Sequence, residues 1–117
     1  MASHSLAYGS KYVYICVDVD WAYEAGFAPI TFLREVKTRL RELHVRSARH
    51  KIWLEDLEDS DIDYRAVATY LKQANLNPLI VVELAYRPHT LVTRSLVEDL
   101  RVSRQYAEQV FGVHSNA

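Results

Sequence analysis

Apolar and polar residues alternate with a period of two over "YVYICVDV". Val13, Ile15, Val17 and Val19 fall on one face, and Tyr14, Cys16 and Asp18 on the other. This is the pattern of a strand with one buried side. After a turn at Gly26 the period lengthens. In "PITFLREVKTRL", Ile30, Leu33, Val36 or Lys37, and Leu40 recur at helical spacing, with Pro29 suited to a first helical position. The alternation returns in "RELHVRS", a short strand with Leu43 and Val45 on one face and His44 and Arg46 on the other. A polar loop from Ala48 to Asp61 leads into "DYRAVATYLKQANL", where Tyr64, Val67, Ala68 and Leu71 form an apolar stripe. "PLIVVELA" is the near-continuous β-branched run expected of a parallel strand covered on both faces. "SLVEDLRVSRQYAEQVF" is the closing helix. It has a Ser95–Glu98 capping box, Leu96, Leu100, Ala107 and Phe111 near one face, and Gly112 at its stop.

Three strand–helix pairs, joined by connections too long for hairpins, predict βαβ crossovers and a parallel sheet. The fold class is α/β, with three consecutive βα units over residues 12–112, an N-terminal extension at 1–11 and a short tail at 113–117. Asp18 and His44 lie 26 residues apart (44 − 18) and His44 and Glu83 lie 39 apart (83 − 44). These spacings bracket the roughly 31 residues per unit of an eightfold βα barrel. An open three-layer sheet fits the same periodicity. No GxGxxG or P-loop lysine motif is present, so the nucleotide-binding versions of such a sheet have no support.

With 117 residues the chain has the size of one domain. Its 14 Lys and Arg balance 15 Asp and Glu, and no basic stripe interleaved with aromatics occurs, so nucleic acid is not an expected partner. Neither a leader pattern nor eighteen consecutive apolar residues is found, so no membrane partner is expected and a cytoplasmic location follows. Cys16 is the single cysteine, which leaves no intramolecular disulfide and points to a reducing compartment. Its apolar surroundings predict a small core residue.

Each strand carries an ionisable residue near its carboxyl end, on the face opposite its Val, Ile and Leu residues: Asp18, His44 and Glu83. Ligands and catalysis gather at that end of parallel α/β sheets. An Asp, a His and a Glu converging there offer mixed oxygen and nitrogen donors for a divalent ion such as Mn²⁺, Mg²⁺, Co²⁺ or Zn²⁺. The competing reading is structural, with the acids capping turns or pairing with Arg, and the His hydrogen-bonded in the core. Trp21 and Trp53 are candidates to stack on a sugar, or to pack beside the strand ends. Arg46 and Arg94 either hold a phosphate or carboxylate or pair with Asp18, Asp20 or Glu83. "LEDLEDSDID" reads as a solvated acidic loop ending in an Asp helix cap.

"VDVDWAYEAGFAPITFLREV", "LHVRSARHKIWLEDLEDSDIDYRAVATYL", "LIVVELAY" and "TRSLVEDLRVSRQYAEQVFG" occur in that order. From about Tyr12 to Gly112 the chain resembles the C-terminal part of the xylose isomerase-like TIM barrels, the sugar-phosphate isomerase, epimerase and inosose dehydratase relatives. The resemblance implies that Asp18, with Trp21, Gly26 and Pro29 in step, His44 and Glu83 bind a divalent metal. It also implies that His44, Glu83 and Arg46 serve catalysis beside a sugar carbonyl. Ser47 stands where that family usually has Asp.

Three units have two open sheet edges and an inner face shaped for strands they lack, so a homo-oligomer or a partner chain completing the barrel is expected. The expected function is a divalent-metal-dependent sugar or sugar-phosphate isomerase or epimerase when assembled, acting on a small sugar-like ligand. The alternative is a non-catalytic oligomeric remnant that acts as a binding module.

Overall fold

The computed structural model describes residues 13–112. The extension at 1–11 and the tail at 113–117 expected from the sequence lie outside the described residues. The chain is α/β. Strand β1 (Ile15–Asp18) runs directly into α1 (Val19–Glu24). Helix α2 (Pro29–Val36) and a 3₁₀ turn (Lys37–Arg39) then lead to β2 (Leu40–Val45). A hairpin of β3 (Ala48–Arg49) and β4 (Ile52–Trp53) follows, then α3 (Tyr64–Gln73), β5 (Leu79–Val82) and α4 (Leu96–Phe111). Strands β1, β2 and β5 form a parallel sheet in that order, with β2 central.

The register levels the strand ends. Asp18 lies opposite His44, Val45 opposite Val82, and the Glu83 amide donates to the Val45 carbonyl at 3.1 Å. Val17, Leu43 and Val45, with Ile80 and Val82, pack on the covered face against Leu33, Val36, Val67, Leu71 and Ala107. Each fully buried aliphatic side chain there contributes about 1.5–3 kcal/mol, so this face holds the sheet together. The opposite face carries exposed Tyr14, Cys16, Leu79 and Glu83 and half-buried Glu42, His44 and Val81.

Several expectations are corrected. The strand alternation continues through Val19, yet β1 stops at Asp18, because that side chain accepts a hydrogen bond from the Trp21 amide at 3.0 Å and caps α1. Leu40 opens β2 instead of closing a helix. Cys16 is exposed on the open face, not a core residue. β5 is an edge strand with Leu79 63% exposed, so it is covered on one side only. On α4, Leu96 and Leu100 face out, while Asp99, Ser103 and Ala107 are buried. The polar members of that stripe have partners: Asp99 pairs with Arg94, and the Ser103 hydroxyl accepts from the Leu57 amide at 2.9 Å.

The acidic loop is not simply solvated, since Glu55 and Asp56 are buried. It does end, as expected, in a cap on α3, where Asp63 accepts from the Ala66 amide. The Ser95–Glu98 box and the left-handed Gly112 (φ 67°) bound α4 as expected. Among the described residues no helix is long and apolar enough to cross a membrane.

Candidate metal centre

Asp18, His44 and Glu83 meet at the level strand ends, each offering one ligand atom within 4.8 Å of the other two. Strand alternation puts His44 on the open face of β2, and the parallel register places Asp18 beside it on β1 and Glu83 just past the end of β5. The two ring nitrogens of His44 face different groups. Nε2 lies 2.9 Å from Glu42 Oε2, and Nδ1 lies 3.7 Å from Glu83 Oε2.

Glu42 favours a proton on Nε2, which leaves the Nδ1 lone pair toward Glu83 and Asp18. This is how a carboxylate orients a metal-binding histidine. The donor set and its orientation therefore fit a hard or borderline divalent ion. The hydrogen bond to Glu42 raises the His44 pKa above its ordinary value and lowers that of Glu42.

Arg46 lies behind this set and is 3% exposed. Its Nη2 is 3.9 Å from Asp18 Oδ2 and its Nε is 3.4 Å from Asp20 Oδ2. Arg46 Nε and Nη2 and Asp20 Oδ1 lack hydrogen bonds of good geometry, so the cluster is held by charge and stacking. Burial raises the Asp20 carboxyl, with Arg46 and the Trp53 indole N–H (3.0 Å) acting against it. Arg46 thus pairs with Asp18 and Asp20 from within the protein, which is the ion-pair alternative of the two readings its sequence position offered.

The two tryptophans part company. Trp53 has the Arg46 guanidinium carbon 3.8 Å from its ring centroid and that of Arg87 3.9 Å away. Two guanidinium groups so close to one centroid have room only on opposite faces, so Trp53 has no free face for a sugar. Trp21 packs edge-on against Trp53 with centroids 5.8 Å apart and remains half exposed. Arg94 belongs to a separate cluster, pairing with Asp56, Asp99 (3.2 Å) and Glu55 (3.9 Å). Its Nε and Nη2 are directed at these carboxylates, the ion-pair alternative to holding a substrate anion.

No protein-family model, curated protein or solved structure matches the chain. The site is therefore read from its own geometry. That geometry adds two residues that sequence reasoning missed, Glu42 and Cys16. Both share the face of His44 at a spacing of two residues or across the register, where Cys16 pairs with Glu42. Partial desolvation and the hydrogen bond to Glu42 raise the Cys16 thiol to about 11. Alternation alone could have flagged Glu42, but Cys16 was hidden by the apolar run around it.

Proposed function

We propose that this chain binds a divalent cation through Asp18, His44 and Glu83 and uses it on a small, oxygen-rich, sugar-like ligand, as a metal-dependent isomerase or epimerase module. The observation that carries this reading is the convergence of the three ligand atoms within 4.8 Å at the ends of three adjacent parallel strands. The ordered motifs that resemble xylose isomerase-like barrels support the sugar class.

An ion held there supplies polarisation of a carbonyl or hydroxyl oxygen. The chain's own groups do the rest. Glu42 holds the His44 ring in one orientation, Asp18 is fixed by the Trp21 amide and braced by Arg46, and the exposed ring of Trp21 offers an apolar wall.

A second reading, a non-catalytic binding module, is favoured by one observation: the Glu83 side chain is 45% exposed, so water reaches the site freely. Catalysis at such a site needs a covering chain, a second copy of this one or a partner, that excludes water. Thermal melting with Mn²⁺ tests the metal site, because a ligand that binds only the folded form raises the melting temperature. The rise is expected in the wild type and lost in Asp18→Asn, which keeps the helix cap, and in Glu83→Gln. An absent or unchanged rise overturns the site. Incubating the Mn²⁺-loaded protein with aldoses, ketoses and their phosphates in D₂O separates the readings. Conversion of the sugar to its isomer or epimer supports the enzyme, with deuterium at the carbon next to the carbonyl marking proton transfer and its absence a hydride shift. Binding without conversion supports the module.

A further inference from the structure

We infer that the open sheet face carries a second cation site of different chemistry, made by Cys16, Glu42 and the Nε2 edge of His44, and that it takes a thiophilic divalent ion such as Zn²⁺. One ligand atom from each of the three residues lies within 4.8 Å of the other two. Cys16 and Glu42 are register partners on β1 and β2, and His44 follows Glu42 on the same face. Zinc takes Cys, His and carboxylate ligands at about 2.0–2.3 Å, which sets neighbouring ligand atoms of a tetrahedron about 3.5 Å apart. Reaching that spacing from the present positions needs side-chain shifts on the order of 1 Å, and the exposed Cys16 leaves room for a water at the fourth position.

The two sites are coupled through one imidazole. A neutral histidine has a single lone pair on its ring nitrogens, so it ligates through Nδ1 or Nε2 but not both. An ion at Cys16 and Glu42 takes Nε2 and moves the ring proton to Nδ1, which faces the Glu83 carboxylate 3.7 Å away. An ion at Asp18 and Glu83 takes Nδ1 and returns the proton to Nε2, where Glu42 accepts it at 2.9 Å. Thiolate ligation releases the Cys16 thiol proton to solvent. Ligand softness then sorts the ions, with oxygen-preferring Mn²⁺ or Mg²⁺ at the strand ends and Zn²⁺ or Co²⁺ at the cysteine.

Co²⁺ is the probe, because thiolate ligation gives a charge-transfer band in the near ultraviolet. The wild type is expected to show that band, to lose it in Cys16→Ser and Glu42→Gln, and to keep it in Asp18→Asn and Glu83→Gln. Zn²⁺ is expected to abolish it by displacement, and equilibrium dialysis is expected to find one Zn²⁺ per chain. Absence of the band in the wild type, or its persistence in Cys16→Ser, overturns the site. Two Zn²⁺ per chain overturn the sharing of His44. The band is independent of Mn²⁺ stabilisation, so failure of the strand-end site and failure of this one are told apart. All four variants change exposed or half-buried side chains, and their metal-free melting temperatures serve as the check that they fold.

Discussion

The Tyr64 hydroxyl closes a two-way hydrogen bond with the backbone of Arg46, donating to its carbonyl at 2.6 Å and accepting from its amide at 2.9 Å. Tyr64 is 1% exposed, and burial raises its pKa, so the hydroxyl keeps the proton it donates. This bond ties α3 to the carboxyl end of β2, the strand that carries His44. Tyr64→Phe leaves both backbone groups buried and unpaired, at a cost on the order of 1–3 kcal/mol. Urea unfolding is expected to show that loss, together with weaker Mn²⁺ stabilisation. Wild-type stability in the variant would show that the end of β2 is held by packing alone.

Glu55 governs acid stability. Its carboxylate accepts from the Thr93 hydroxyl, the Thr93 amide (2.9 Å) and the Arg94 amide (3.2 Å). These bonds, led by that from the Thr93 hydroxyl, lower its pKa from 4.5 to about 2. A folded-state value below the unfolded one means that the stabilisation is complete above about pH 4.5 and is lost as the pH falls toward 2. Glu55→Gln is expected to be less stable than the wild type at neutral pH, with the difference closing across that window in unfolding curves taken at a series of pH values. A difference that stays constant across the window refutes this.

The hairpin between β3 and β4 turns on His50 (φ 53°) and Lys51 (φ 65°), two residues with side chains in left-handed backbone. A two-residue turn with both central φ values positive favours Asn-Gly, and an ordinary residue pays roughly 1–2 kcal/mol per position there. Changing His50→Asn and Lys51→Gly together is expected to raise the melting temperature by several degrees. A lower melting temperature would show that the His50 or Lys51 side chain makes up for the strain.

The same hairpin marks the limit of what the sequence discloses. His-Lys is not a turn signature, so the segment from Ala48 to Asp61 reads as plain loop. The strands and long helices are legible because aliphatic residues dominate their buried faces, as with Val17, Leu43, Val45, Val67 and Leu71. The convergence of Asp18, His44 and Glu83 is legible because parallel strands end together. What escapes is wherever polar groups are buried with partners: Asp20 against Arg46 and Trp53, Glu55 and Asp56 around Arg94, and Ser103 under Leu57. Ser47 belongs with these. It is fully buried, donating to the Glu58 carbonyl at 2.7 Å and accepting from the Glu58 amide at 2.9 Å, so it pins the loop instead of joining the site. Periodicity assigns polar residues to the surface and cannot foresee such pairings.

The open face and the sheet edges bear on assembly. Tyr14 and Leu79 are exposed at 56% and 63%, and β1 and β5 are both edge strands of the described sheet. Unpaired edges beside exposed apolar side chains favour association, and the proposed catalysis at the strand ends adds a need for a cover that excludes water. Size exclusion with light scattering is therefore expected to give a mass at least twice the 13.5 kDa of one chain. Leu79→Lys puts a charge at the edge of β5 and is expected to shift the population toward monomer, and to lower Mn²⁺ stabilisation if the second copy covers the site. A wild type that stays monomeric at all concentrations would refute self-association and leave a different chain as the only cover for the site.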